Sequence, residues 1–311
     1  MKKSEYKDLK NKIIEDGNKK LEALIAEYKE EKKTFKERKK EFKKGKKQLR
    51  DDIGGSLDQL HLQYQGQPFE KEVKPRERDM SETELRELRN KKHLPFYFYG
   101  EEIFNFVTHT VGGGISIAFL IISIVCSLIY KPGNMMILFS MIFFCLTSIA
   151  LYSVSAIYHG LHINTGKTVF QVLDHCTIYL LIAGTYTPAV LIGMQSISPY
   201  HYIFLGGIYL LSILGIVLNA TMMKKKAVVI ISMILYILIG WGIIGFYPVL
   251  VENIQFGGMM LLLFGGISYT LGSILYGIGS KKRYFHSIFH IFVIFGTVLQ
   301  FLALLLYGVI F

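Results

Sequence analysis

The chain has 311 residues, 51% of them hydrophobic, and a formal charge of +11. Residues 1–100 hold 27 Lys and Arg with 20 Asp and Glu, whereas residues 101–311 hold only 8 and 4. This split excludes a single soluble globule of even composition and sets a polar head against an apolar body.

In the head, Ile14, Leu21, Tyr28, Phe35, Phe42 and Leu49 recur at intervals of seven. They predict a long helix with one apolar stripe over residues 1–50. A dimeric coiled coil needs a second apolar seam. Apart from Leu24 or Ile25 that seam is charged here, so only weak self-association is expected of this helix. Its 19 basic and 10 acidic side chains suit contact with the anionic lipids of a cytoplasmic leaflet; a merely solvated helix is the plain alternative. The bases are interleaved with acids and form no recognisable module, so nucleic acid is not an expected partner. Residues 1–30 are charged throughout, unlike a cleavable signal peptide.

Residues 51–96 read as a linker with one short helix. "DDIGGS" is expected to break the first helix, and "GQPFEKEVKPRERD" reads as loop. "SETELRELRNKKH" opens on Ser81 with Glu84 three residues on, the signature of a capping box. His61 and His93 fall in this exposed stretch. Pro95 and the following "FYFY" deliver the chain to an interface where aromatic rings favour the headgroup level.

Seven apolar runs follow, at roughly 104–130, 134–159, 168–194, 200–222, 227–250, 257–280 and 284–309. A helix needs about 20 apolar residues to cross a bilayer. A soluble bundle would show polar outer faces, and "AVVIISMILYILIGWGII" shows none. The expected fold is therefore all-α: a seven-transmembrane helix bundle over residues 97–311, multi-pass in the cell membrane and in contact with its lipids. Lys and Arg of short loops stay on the cytoplasmic side. With the N-terminus inside, the inner loops carry Lys167, Lys224, Lys225, Lys226, Lys281, Lys282 and Arg283, and the outer loops only Lys131, with Glu252. This predicts a cytoplasmic N-terminal extension and an outer C-terminus.

Ionisable groups inside spans are costly and mark functional sites. Glu101, Glu102 and His109 stand at the start of the first span, His159 at the end of the second, Asp174 and His175 near the start of the third, and His286 and His290 at the start of the seventh. Under that topology all of these ends are cytoplasmic. His286 and His290, four residues apart, project from one helix face and can reach one ion. Ser155 and His159 share the spacing, so the hydroxyl can stand beside the imidazole. Three histidines and a carboxylate at one level suit zinc with an open fourth position, although any one of them taken singly is ordinarily an interhelical hydrogen-bond partner. His162 and His201 read as loop histidines. Cys126, Cys145 and Cys176 show no C-x-x-C spacing and read as packing residues, and Gly112, Gly113 and Gly114 as close helix contacts.

"EEIFNFVTHTVGG", "SAIYHG", "LDHCTIYLLIAGTYTP" and "HSIFHIFVIFGT" resemble, in order and spacing, the motifs of the hemolysin III family. That family belongs with the progestin and adipoQ receptors, which include the adiponectin receptors. The resemblance covers about residues 97–311. It implies an intramembrane zinc (Zn2+) near the cytoplasmic face, with His159, His286 and His290 as ligands, Asp174 holding a water and Ser155 beside the site. Glu102, Asn105 and His109 match the first motif and would support the ligands or line the site, as would His175. Phe289 stands where relatives often have Trp, a change expected to alter packing more than ligation.

These receptors are similar to a wider group of membrane hydrolases that includes alkaline ceramidases. The resemblance therefore implies zinc-dependent hydrolysis of a lipid amide or ester, or a role in membrane homeostasis. Two alternatives stay open. One is a cytolytic pore, for which no span offers a continuous charged stripe; the other is a non-enzymatic receptor or signalling protein with a structural zinc.

Overall fold

The computed structural model describes residues 19, 26, 30, 33–56, 59, 77–223, 225–279 and 282–311. Contacts within the chain divide it into two units, Met1–Lys74 and Pro75–Phe311.

In the first unit, residues 33–56 form helix α1. Phe35, Phe42 and Leu49 on it are exposed; Ile14, Leu21, Leu24, Ile25, Tyr28 and His61 lie outside the described residues. Contrary to expectation, α1 runs on through "DDIGGS". Gly54 and Gly55 each cost about 1 kcal/mol relative to alanine in a helix. That is too little to stop a helix whose last turn is closed by Ser56 Oγ donating to the Asp52 carbonyl at 2.9 Å.

The second unit opens with a 3-10 turn at Glu77–Asp79, the end of the expected loop, and continues into α2, Glu82–Lys91. The capping box is formed: Ser81 N–H donates to Glu84 Oε2 at 2.8 Å and Ser81 Oγ accepts from the Glu84 N–H. Leu85 and Arg89, one turn apart, form the buried face of α2. His93 is exposed, as expected of a surface residue, and takes a left-handed φ of 55°.

There follow α3 (Tyr99–Tyr130), α4 (Met135–Gly160), α5 (Thr165–Gly193), α6 (Tyr200–Met222), α7 (Lys226–Trp241), α8 (Tyr247–Gly279) and α9 (Phe285–Leu304). A π-helical turn, Leu305–Ile310, prolongs α9. No strand occurs among the described residues. Six stretches among them are long and apolar enough to cross a bilayer: α3, α4, α5, α6, the 53-residue run Ala227–Gly279, and Phe285–Ile310.

Within Ala227–Gly279 the helix is not continuous. The expected run 227–250 is cut at Trp241 by a 3-10 turn, Gly242–Phe246, and α8 itself breaks at Ile254 and Gln255, the latter with a φ of 58°. Trp241 Nε1–H donates to Thr270 Oγ1 at 2.9 Å, and Met233 lies against Gly277. Earlier residues of α7 thus meet later residues of α8, so the chain reverses between them.

α5 is the central helix: 78% of its most apolar window is buried, against 22% for α3. Glycine makes its contacts close. A Cβ on Gly184 would collide with Thr147 Oγ1 of α4, and one on Gly215 of α6 with the Tyr179 ring. Small residues at such points let backbones approach. On α3, Ile117, Ile121, Val125 and Leu128 form an exposed apolar stripe at helical spacing, a surface suited to lipid rather than water.

Candidate metal centre

The first turns of α9 carry His286 and His290, and the last turn of α4 carries His159. All three are buried. His290 Nε2 lies 3.1 Å from His286 Nε2, which lies 3.4 Å from His159 Nε2. Among the described residues these three form the group whose ligand atoms all fall within 4.8 Å of one another. A tetrahedral ion with metal–nitrogen bonds of about 2.0–2.1 Å needs nitrogens about 3.3–3.4 Å apart. The donor set fits such an ion.

Hydrogen bonding on the far side of the rings supports this orientation. Glu102 Oε2 accepts from His159 Nδ1–H at 2.6 Å, which leaves the Nε2 lone pair turned inward. His290 Nδ1 approaches Thr108 Oγ1 at 3.5 Å. Imidazole lone pairs that converge at these distances repel unless a cation or proton lies among them.

Glu102 is the hub of a buried charge cluster. Its Oε1 accepts from Arg89 Nη2 at 2.6 Å and pairs with Lys167 Nζ at 3.0 Å. Arg89 and Lys167 are each 1% exposed and Glu102 5%. Lys167, expected as a loop cation, is buried in the first turn of α5, where it also donates to the Leu161 carbonyl at 2.8 Å. Ion-pairing with Glu102 and capping of α4's carbonyls explain the difference. Of the other loop cations, Lys224 and Lys281 lie outside the described residues. Glu101 faces elsewhere: its carboxylate accepts from the backbone N–H groups of Phe98 and Tyr284, tying the chain before α3 to the chain before α9.

Asn105 is fully buried, with Nδ2 3.5 Å from His159 Nδ1. His109 stacks on His290 with ring centres 3.6 Å apart and planes at 12°, and its ring nitrogens have no hydrogen-bond partner among the described residues. Ser155 and Asp174 line one cavity with His109, His286 and His290; Asp174 stands outside the three-nitrogen group. Ser155 Oγ is buried and stands beside the Asp174 carboxyl. His175 is committed elsewhere. Its Nδ1–H donates to the Gln171 carbonyl at 2.9 Å, so its Nε2 accepts from Tyr276 OH at 3.0 Å. Its own carbonyl accepts from Tyr236 OH at 2.8 Å, and Tyr236 OH in turn accepts from Asn219 Nδ2 at 2.9 Å.

The cavity runs from the histidines between α5, α7, α8 and α9, past Ile182, Met233 and Val293 to Trp241 and Gln300. His290 and Gln300 are ten residues apart, about 15 Å along a helix.

Two residues at the centre carry no signal in the sequence. Arg89 looks like its neighbour Arg86 in a charged helix, yet Arg86 is exposed and Arg89 buried. Tyr97 belongs to the interfacial "FYFY", yet its ring stacks on His286 at 4.7 Å. Burial, with the Tyr158 and Tyr276 phenols nearby, pushes the Tyr97 phenol well above its ordinary range, so it stays neutral. His201 corrects an expectation: it lies in the first turn of α6, 2% exposed and against Tyr202, not in an open loop. His162 is exposed, 3.5 Å from Glu77 Oε1.

Apolar helices of membrane length, with three converging imidazoles buried at one end, define a multi-pass membrane protein that can hold a metal ion. The chain belongs to the haemolysin-III-related family, whose sequence pattern matches residues 97–301. It is 36% identical to Hemolysin-3 of Bacillus cereus over 212 residues, 68% of this chain and 93% of the relative. Over 209 residues, 67% of this chain and 95% of the relative, it is 32% identical to Hemolysin-3 homolog of Bacillus subtilis (strain 168). All three histidines fall within the matched segment; Arg89 lies upstream of it.

Proposed function

We propose that the protein is a zinc-dependent hydrolase of lipid amide or ester bonds, working at the cytoplasmic end of a seven-span bundle whose N-terminus is inside. The observation that supports this best is the convergence of three imidazole nitrogens, 3.1 and 3.4 Å apart, two of them, on His286 and His290, at the head of an apolar cavity that Asp174 and Ser155 also line. When bound there, zinc supplies a Lewis acid that polarises a carbonyl and acidifies water near neutral pH.

His159, His286 and His290 hold the ion, and Glu102 keeps His159 in the tautomer that can ligate. Asp174 orients the attacking water, takes its proton and gives it to the leaving amine or alcohol as the acyl C–N or C–O bond breaks. Ser155 Oγ donates to the carbonyl oxygen as negative charge develops there. The walls beyond, Ile178, Leu181 and Ile182 among them, hold an acyl chain that enters sideways from the bilayer. Seven crossings follow if Ala227–Gly279 counts as two: its 53 residues would make a helix of about 80 Å, against a hydrocarbon core of about 30 Å.

Elemental analysis of detergent-purified protein should find about one zinc per chain, absent from the double variant His286→Ala, His290→Ala. Zinc-loaded protein should release fatty acid from a ceramide, an acyl amide or a lysolipid, and Asp174→Asn should keep the zinc and lose turnover. Loaded protein that leaves all three substrates intact, or Asp174→Asn with undiminished turnover, would overturn the hydrolase.

A further inference from the structure

We infer that α2 and the loop after it form a cap belonging to the metal centre, with Arg89 as a positioning residue that sets Glu102 and, through it, His159. The inference rests on the zinc reading and adds a reciprocal consequence: docking of the cap and binding of the ion stabilise each other.

Three observations point to the cap. First, the Arg89 guanidinium is buried at a cost a short surface helix does not need. Its Nη1 donates to the Pro95 carbonyl at 2.8 Å and its Nη2 to Glu102 Oε1 at 2.6 Å, while its buried Nε has no hydrogen-bond partner among the described residues. Burial of a charge in this way is poor value for stability alone and is better understood as fixing one arrangement.

Second, the two oxygens of Glu102 have separate duties. Oε1 takes both cations, which leaves Oε2 for His159. The guanidinium is itself fixed by its second bond, to the Pro95 carbonyl, so its Nη2 meets Glu102 Oε1 from one set direction, whereas the lysine ammonium is a point charge on a flexible stem.

Third, the same segment reaches a second ligand: Tyr97, eight residues beyond Arg89, lies against the ring of His286. The loop between them is closed by Leu94 N–H donating to the Arg89 carbonyl at 3.0 Å. A cap that lifts therefore loosens the supports of His159 and His286 together.

The test is the zinc dissociation constant, measured by chelator competition on the full chain. Arg89→Leu and Arg89→Lys are compared with wild type and with Lys91→Leu, at an exposed cation of the same helix. Arg89→Leu should weaken zinc by up to about 10-fold, the lower end of the effect of losing a partner bonded directly to a ligand, because it acts through Glu102. Arg89→Lys should fall between it and wild type, and Lys91→Leu should match wild type.

Amide exchange over residues 82–97 gives a second readout. Wild type should be more protected with zinc than after chelation, and Arg89→Leu should lose that difference. Zinc affinity unchanged in both Arg89 variants, or cap exchange indifferent to zinc in wild type, would overturn the inference and leave the hydrolase standing. Wild type without zinc overturns both, and failure of hydrolysis with the coupling intact overturns the hydrolase alone.

Discussion

The two ends of the helical bundle use the same polar groups in opposite ways. At the histidine end Glu102, Asn105 and Ser155 are each 5% exposed or less. Glu102 there needs a buried arginine, a buried lysine and a histidine around it. At the other end Glu252, Asn253 and Ser196 meet near the surface: Ser196 Oγ donates to Glu252 Oε2 at 3.2 Å, and Asn253 Nδ2 donates to Ser196 Oγ at 2.9 Å. No cation stands against Glu252 among the described residues. Water can solvate a carboxylate on the outside, while a buried one must be paired. A single residue type is thus costly machinery in one place and ordinary surface in the other.

Glu102→Gln tests that contrast most severely. It leaves Arg89 and Lys167 buried without a counter-charge, and loss of one partner from a buried pair costs about 3–5 kcal/mol. Glu252→Gln should stay within about 0.5 kcal/mol of wild type, as surface changes usually do. Thermal unfolding in detergent reads both, and equal shifts would erase the distinction between the ends.

Between the ends, packing replaces pairing as the constraint. Gly184→Ala and Gly215→Ala drive a Cβ into Thr147 and Tyr179, and such overpacking costs about 1–3 kcal/mol. Gly206→Ala, on the same helix as Gly215, meets nothing within 4 Å and should stabilise by up to about 1 kcal/mol in the same unfolding measurement.

A smaller effect sharpens the picture of how α5 is held. Tyr236→Phe removes the donor to the His175 carbonyl and should cost about 0.5–1.5 kcal/mol, visible as faster amide exchange at the start of α5.

Least of all should α2 feel the titration of Glu84. The Ser81 hydroxyl and then the Ser81 backbone N–H hold this exposed carboxyl below the ordinary carboxylate range. A depressed value in the folded chain means a contribution that is present above the unfolded value and lost as pH falls through the folded one. Protection at the first turn of α2, taken relative to the intrinsic exchange rate at each pH, should accordingly fall only at acid pH. In Glu84→Gln that fall should be smaller than in wild type.

Much of the architecture was legible in the order of residues. The run 200–222 coincides with α6, and the expected ends of the second and third runs lie within three residues of α4 and α5. The fifth run, 227–250, is helical throughout but changes to 3-10 at Gly242–Phe246, and since the stretch stays apolar nothing in hydropathy announces that change. "DDIGGS" misled, since helix punctuation by glycine is a bias of about 1 kcal/mol and neighbours can outweigh it. At the centre, the spacing of His286 and His290 placed both on one face, and His159 followed from the alternation of spans. Arg89, Tyr97 and the burial of Lys167 and His201 did not follow, because their types are as common on surfaces and interfaces as inside.

The sequence by itself determined which segments are helical and apolar enough for lipid, because a chain in a bilayer must satisfy its backbone hydrogen bonds within each segment. It determined equally which imidazoles share a helix face, since that is a matter of local period. Only the tertiary structure decided that Arg89 and not Arg86 reaches Glu102, and that Lys167 is buried beside it. Burial is set by which distant helices pack together, and no property of a residue or its neighbours in sequence encodes that distance.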